Sequence, residues 1–291
     1  MTGKGIAYGA ATVVNAMPSG CGAAFGVGLK TFAEVDLTDD CGTVEVEIAG
    51  GANDRKQLAV ESFKVVLERF GLRYGGRIRT RSDIPIACGM KSSSVASNAI
   101  ILATLDAIGQ SLDEMESIKL GVDASLRAKV TLTGAFDDAC ASFLGGLHVT
   151  DNRHRSILKS YELGQLGVVF LVPEGKRYSG EVDRAHINSY ARASTLALDG
   201  ALNGNYWQAM LLNGLVMAHA FGADPSPMLA AMKNGAISAG LSGKGPAICA
   251  VARNDSEDSI VEGWKSLGLD LSPGYRIIRT KTNSDHSRKG F

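Results

Sequence analysis

The sequence predicts an α+β protein of two halves sharing an interface, and three observations carry that prediction. Period-two runs and helix-like apolar spacing recur in both halves. At 291 residues and 45% hydrophobic, the chain is long enough to bury one large core or two intimate ones. Its 35 glycines gather in clusters with no fixed period, so they act as local backbone devices and not as a structural repeat.

The first glycine cluster, Gly3 to Gly28, opens the chain, and Ser19–Gly28 within it reads as a loop able to close over a ligand. Thr43–Ile48 alternates as a strand, Arg55–Phe70 has helical apolar spacing ended by Gly71, and Gly76–Arg81 reads as a half-exposed strand. Ser93–Ile108 and Asp113–Ala128 are helical, and Gly145–Thr150 returns to strand. The polar stretch Asp151–Arg155 is the best boundary, dividing the chain into residues 1–150 and 151–291. Beyond it, Gly167–Pro173, Ala247–Ala252 and Tyr275–Lys281 read as strands. Val182–Leu202, Tyr206–Phe221 and Pro225–Asn234 read as helices, and the polar tail Asn283–Phe291 as frayed.

Charge and composition exclude several classes. Thirty Lys+Arg against 30 Asp+Glu leave no cationic surplus for a nucleic-acid backbone. No apolar run approaches a membrane span and the N-terminus is unlike a signal peptide, so a cytoplasmic protein is expected. The five cysteines form no CxxC pair and read as buried free thiols, and the five histidines lack metal-ligand spacing.

Three windows carry chemistry. In Pro85-Ile86-Ala87-Cys88-Gly89-Met90-Lys91-Ser92-Ser93-Ser94, a strand ends at a glycine and three serines open a helix. Unpartnered N–H groups and the helix dipole suit a phosphate there, although the same residues also serve as a plain N-cap. Ser242-Gly243-Lys244-Gly245 is a glycine loop with one cation, equally readable as a phosphate contact or a tight turn. Asp137 and Asp138 lie in an otherwise apolar, small-residue stretch, where one could accept a hydroxyl proton or hold Mg2+, or where the pair could simply favour a helix N-terminus. No GK dipeptide is followed by Ser or Thr, which excludes a P-loop.

In order and composition these windows resemble the motifs of the GHMP kinase superfamily. Gly3–Gly9 is similar to its first motif, Pro85–Ala96 to its phosphate loop and Ser242–Pro246 to its third motif. Gly9–Ala16, Lys91–Ser94 and Leu132–Asp138 most resemble the archaeal-type shikimate kinase branch. The resemblance implies a two-domain GHMP kinase fold with the active site in the interdomain cleft, ATP and Mg2+ as cofactors, and a small-molecule acceptor, shikimate, phosphorylated on a hydroxyl. Homoserine kinase or another GHMP kinase is the alternative, and a silent ligand-binding homologue a further one.

Carried over by position, residues 85–94 and 242–245 bind the nucleotide, Ser93 reaches the metal, and Lys4 matches the first-motif lysine and joins the catalytic set. The base is Asp138 when counted back from Gly145-Gly146, and Asp137 when matched to Gly-x-x-Asp. Lys91 stands where the family has a glycine. The acceptor's carboxylate needs a cation, for which Lys30, Arg127, Lys129, Arg276 and Arg279 are the candidates.

Overall fold

The computed structural model describes residues 1–50, 56–85, 89–131, 133–173, 183–253, 255–268 and 274–290. The chain begins with two long antiparallel strands, β1 (Thr2–Val14) and β2 (Cys21–Thr38), where the sequence suggested glycine loops. Gly3 and Gly5 explain the discrepancy. A Cβ on Gly3 would stand 2.1 Å from the Ala107 nitrogen, and one on Gly5 2.2 Å from the Ala99 carbonyl oxygen. The glycines let a helix lie directly on the strand.

The larger sheet continues through β3 (Val44–Ile48) and β4 (Gly75–Ser82), and with β11 (Arg288–Lys289) on its other edge the order is β11-β1-β2-β4-β3. β2 is long enough to serve two neighbours on one edge. Its second half pairs with β4, and its first five residues pair with β5 (Leu147–Asp151), which pairs in turn with β6 (Ser156–Tyr161). On this sheet lie α1 (Lys56–Arg69), α2 (Ser92–Ala107), α3 (Glu114–Arg127) and α4 (Phe136–Leu144). α2 buries nearly its whole circumference, as its Ile, Leu, Ala and Val composition requires.

The smaller sheet has the order β10-β7-β9-β8, formed by β7 (Gly167–Pro173), β8 (Ala236–Leu241), β9 (Ile248–Ala252) and β10 (Tyr275–Lys281). It is accompanied by α5 (Arg184–Asn188), α6 (Ala191–Leu202), α7 (Tyr206–Ala220), α8 (Ser226–Lys233) and α9 (Glu257–Lys265). The long helix expected over Val182–Leu202 is two helices, interrupted at Tyr190; Val182 itself lies outside the described residues. One buried cluster runs through both sheets, joining Ala7, Ala11 and Phe25 to Phe170, Cys249 and Val251. The halves therefore share a core, and the Phe25 ring meets Trp207 edge-on at 5.3 Å.

The tail differs from expectation. β11 (Arg288–Lys289) pairs with β1, and Ser287 donates through its N–H to the Phe143 carbonyl at 2.7 Å. The chain passes from the larger sheet to the smaller through residues 162–166, while Asp151–Arg155 makes the β5–β6 turn. Of the cysteines described, Cys140 and Cys249 are buried, Cys21 is half-buried and Cys41 is exposed, so thiol burial holds for only part of the set.

Candidate active site

Two helix N-termini meet at the junction of the sheets. α2 starts after Lys91, whose backbone is left-handed at φ 60° and ψ 17°, and α4 starts after Ala135, also left-handed at φ 50°. Neither end has a side-chain cap. A residue with a Cβ at such φ costs roughly 1–2 kcal/mol, and at Lys91 the conformation has a visible use. It swings the side chain across to α4, where Nζ donates to Asp138 Oδ2 at 2.8 Å. The pair is enclosed, with side-chain exposures of 12% and 7%. The other Asp138 oxygen, Oδ1, is buried without a hydrogen-bond partner.

Asp137 and Asp138 occupy the first turn of α4 and are both buried, yet their surroundings differ. Asp137 Oδ1 accepts from Asn152 Nδ2 at 2.8 Å, and Thr150 Oγ1 donates to Asn152 Oδ1 at 2.7 Å, fixing the amide's orientation. Asp138 lacks such a donor apart from Lys91. Burial first, and the neighbouring Asp137 charge second, push its carboxyl up to about 7, against the opposing pull of Lys91. Two adjacent carboxyls thus sit in different surroundings, one held by an amide and the other facing only an ammonium.

The third glycine loop closes the site from the second half. Ser242 Oγ donates to the Gly89 carbonyl at 3.0 Å, and a Cβ on Gly89 would lie 2.3 Å from the Ser242 carbonyl oxygen, so the two loops touch through backbone. Gly243 N–H donates to Thr12 Oγ1, and Asn15 Nδ2 donates to the Gly243 carbonyl, each at 3.0 Å. Asn213 of α7 accepts from the Asn15 N–H at 3.0 Å. Partial enclosure, then the nearby Lys91, hold the Lys244 ammonium below the usual lysine range. Two ammonium groups beside the N-terminus of α2 make a strongly anion-seeking corner.

The structure therefore gathers Gly89, Lys91, Ser92, Asp137, Asp138 and residues 242–245, with Met90 buried beneath and Ser93 and Ser94 in the first turn of α2. Pro85 ends the described strand side of the loop, and Ile86, Ala87 and Cys88 lie outside the described residues.

Lys4 is not brought there. It is exposed near the start of β1, opposite Glu34, whereas the site borders Thr12 and Asn15 at the other end; roughly 25 Å of extended strand separates Lys4 from Thr12. The expectation for Lys4 fails because motif likeness does not say which end of a strand reaches the site.

None of the five proposed carboxylate-binding cations contacts the cluster either. Arg127 and Arg279 pair with Glu68 and Asp258, Lys30 lies over the Tyr8 ring, and Lys129 and Arg276 are exposed elsewhere. Ser19–Gly28 is no closing loop, since from Cys21 onward it is β2.

Thr12, Asn15, Thr150, Asn152 and Asn213 escaped the sequence reading. They are single polar residues at strand ends or within an apolar helix, and only their convergence marks them. A lone buried-pattern Asn, such as Asn213 in the apolar run of α7, is the one signal the sequence offered.

Comparison with known proteins accords with this geometry. Residues 57–146 match the model of the GHMP kinases N-terminal domain. The shikimate kinase of Methanothrix thermoacetophila is 46% identical over 290 residues, 100% of this chain and 97% of that protein. The chain belongs to the shikimate kinase branch of the GHMP kinase family. The shikimate kinase of Methanococcoides burtonii is 43% identical across 98% of this chain and 97% of its own length.

Among solved structures, homoserine kinase from Cytophaga hutchinsonii superposes with a TM-score of 0.76 at 17% identity, covering 99% of this chain and 97% of that one. The mevalonate kinase of L. major in complex with R-mevalonate gives 0.74 at 16% identity, covering 97% of this chain and 96% of that one. At these identities the likeness is one of fold, and it identifies the two-halved α+β arrangement as that of GHMP kinases. Among the described residues no helix is long and apolar enough to cross a membrane.

Proposed function

We propose that the protein transfers the γ-phosphoryl group of ATP to the 3-hydroxyl of shikimate, giving shikimate 3-phosphate and ADP. The observation that carries the mechanism is the enclosed Lys91–Asp138 pair at the N-terminus of α2, with Asp138 Oδ1 unpartnered beside it.

The chemistry follows from charge placement. The first-turn N–H groups of α2, with Lys91 and Lys244, supply positive potential for the polyphosphate. Phosphate charge close to Lys91 competes with Asp138 for its ammonium. Asp138, with a carboxyl at about 7, then has an unpartnered oxygen able to accept the proton of an incoming hydroxyl at neutral pH. Asp137, held by Asn152, keeps its orientation and adds negative charge that raises the basicity of Asp138.

Magnesium would be held by Asp137 and the Ser93 hydroxyl together with phosphate oxygens, which leaves Asp138 to take the proton. Hard oxygen donors from one or two carboxylates plus substrate are its usual sites, and bound there it would neutralise phosphate charge.

ADP release from the purified protein with Mg-ATP, offered shikimate, homoserine, mevalonate or galactose separately, tests the proposal. Turnover with shikimate alone is expected. Turnover only with another acceptor would discard the substrate and keep the chemistry, and ATP binding without turnover of any acceptor would favour a silent ligand-binding protein.

A further inference from the structure

We propose that Arg153, in the β5–β6 turn, is the cation that receives the acceptor's carboxylate; the inference rests on the functional reading above. Arg69, Arg77, Arg79, Arg127, Arg155 and Arg279 are each spent in an ion pair with an acid. Arg153 is one of several arginines with no acidic side-chain partner among the described residues, and it is the one in the turn that follows Asn152. Its Nη2 donates to the Ser19 carbonyl at 2.9 Å, a neutral acceptor that fixes the guanidinium and leaves most of its five N–H donors for another anion.

Its position relative to the carboxylates comes from two glycines. A Cβ on Gly20 would lie 2.2 Å from Arg153 Nε, and one on Gly22 would lie 2.6 Å from Asp137 Oδ2. The guanidinium and the Asp137 carboxylate thus rest on the same short piece of backbone, over α-carbons two residues apart, roughly 5–7 Å. Asn152, the residue before Arg153, binds Asp137 directly and donates its N–H to the Gly20 carbonyl at 3.0 Å, locking the turn against that edge. Shikimate carries its carboxylate and its 3-hydroxyl in a meta relation on one ring. A hydroxyl presented to the Asp137–Asp138 pair places the carboxylate about one ring's width away, and Arg153 is the arginine whose backbone support neighbours that of Asp137. The planar fork suits a carboxylate better than the point charge of Lys244.

Steady-state kinetics of Arg153→Gln, Arg153→Lys and Lys244→Ala with shikimate and with its carboxamide decide the matter. Losing a charge-assisted fork is expected to raise the shikimate KM roughly 10- to 100-fold in Arg153→Gln, leave the ATP KM within about twofold of the parent, and collapse the preference for shikimate over its carboxamide. Arg153→Lys is expected to recover part of that preference. Because the Arg153 side chain is exposed, unfolding is not the anticipated failure, and an unchanged ATP KM verifies it for the two Arg153 variants.

An unmoved shikimate KM in Arg153→Gln, or a carboxylate preference lost in Lys244→Ala instead, overturns the role of Arg153 while leaving the kinase reading intact. Absence of shikimate turnover by the parent protein overturns that reading and this inference together.

Discussion

Replacing Lys91 by glycine separates charge from conformation at the centre of the site. Lys91 sits at φ 60°, so glycine fits the backbone at least as well and relieves roughly 1–2 kcal/mol of left-handed strain. What disappears is an ammonium 2.8 Å from Asp138. A unit-charge pair at about 4 Å between centres is worth on the order of 4 kcal/mol at an effective dielectric of about 20. Water entering the vacated space offsets most of it, leaving an upward displacement of at least about one pH unit in the Asp138 carboxyl.

The assay is the pH dependence of the rate with ATP and shikimate both well below saturation, which reports groups in the unliganded protein. The parent is expected to show a limb rising through about 7, the position of the Asp138 carboxyl. The rate should increase by about tenfold between pH 6 and pH 8, because the ionised fraction grows from about a tenth to about nine tenths. In Lys91→Gly the limb moves to higher pH as well as losing height. A limb that stays in place when Lys91 is removed, or a parent profile flat through neutrality, would refute the assignment of Asp138 as the base.

Asp138 also links stability to pH. Its folded carboxyl is raised from 3.8 to about 7, so the native state holds the proton more tightly than the unfolded chain, and stability falls as pH rises between those values. Asp138→Asn removes that loss. Its stability relative to the parent is expected to improve by about 2–3 kcal/mol on going from pH 5 to pH 8, read by urea denaturation at both. Gly22→Ala is expected to keep the fold and lower kcat by about 10- to 100-fold, since the methyl would displace the Asp137 carboxylate from a site only 2.6 Å away. Deleting Asp285–Phe291 removes the β11 pairing, the Ser287 bonds to Phe143 and Ser142, and the His286–Glu114 contact. A lower Tm is expected, and an unchanged Tm would mean the tail contributes nothing to the fold.

The α+β class, most helices and the three chemical windows were legible in the sequence because each rests on local pattern. Apolar spacing over Ser93–Ile108 favours a helix from local pattern alone, and serine is a common residue at a helix start. Asp137 and Asp138 stood out because charge is rare in a small-residue apolar stretch. Glycine was the misleading residue. In Gly3–Gly28 it marks the close approach of α2 to β1 and the contacts of Arg153 and Asp137 with β2, which composition cannot distinguish from loop flexibility.

Tertiary structure alone decided the rest. That Lys91 bridges to Asp138, that Asn152 donates to Asp137, and that Lys4 stands far from both depend on which strand ends converge. The division of labour between two adjacent aspartates depends on burial and neighbouring charge, long-range quantities that no spacing of residues along the chain encodes.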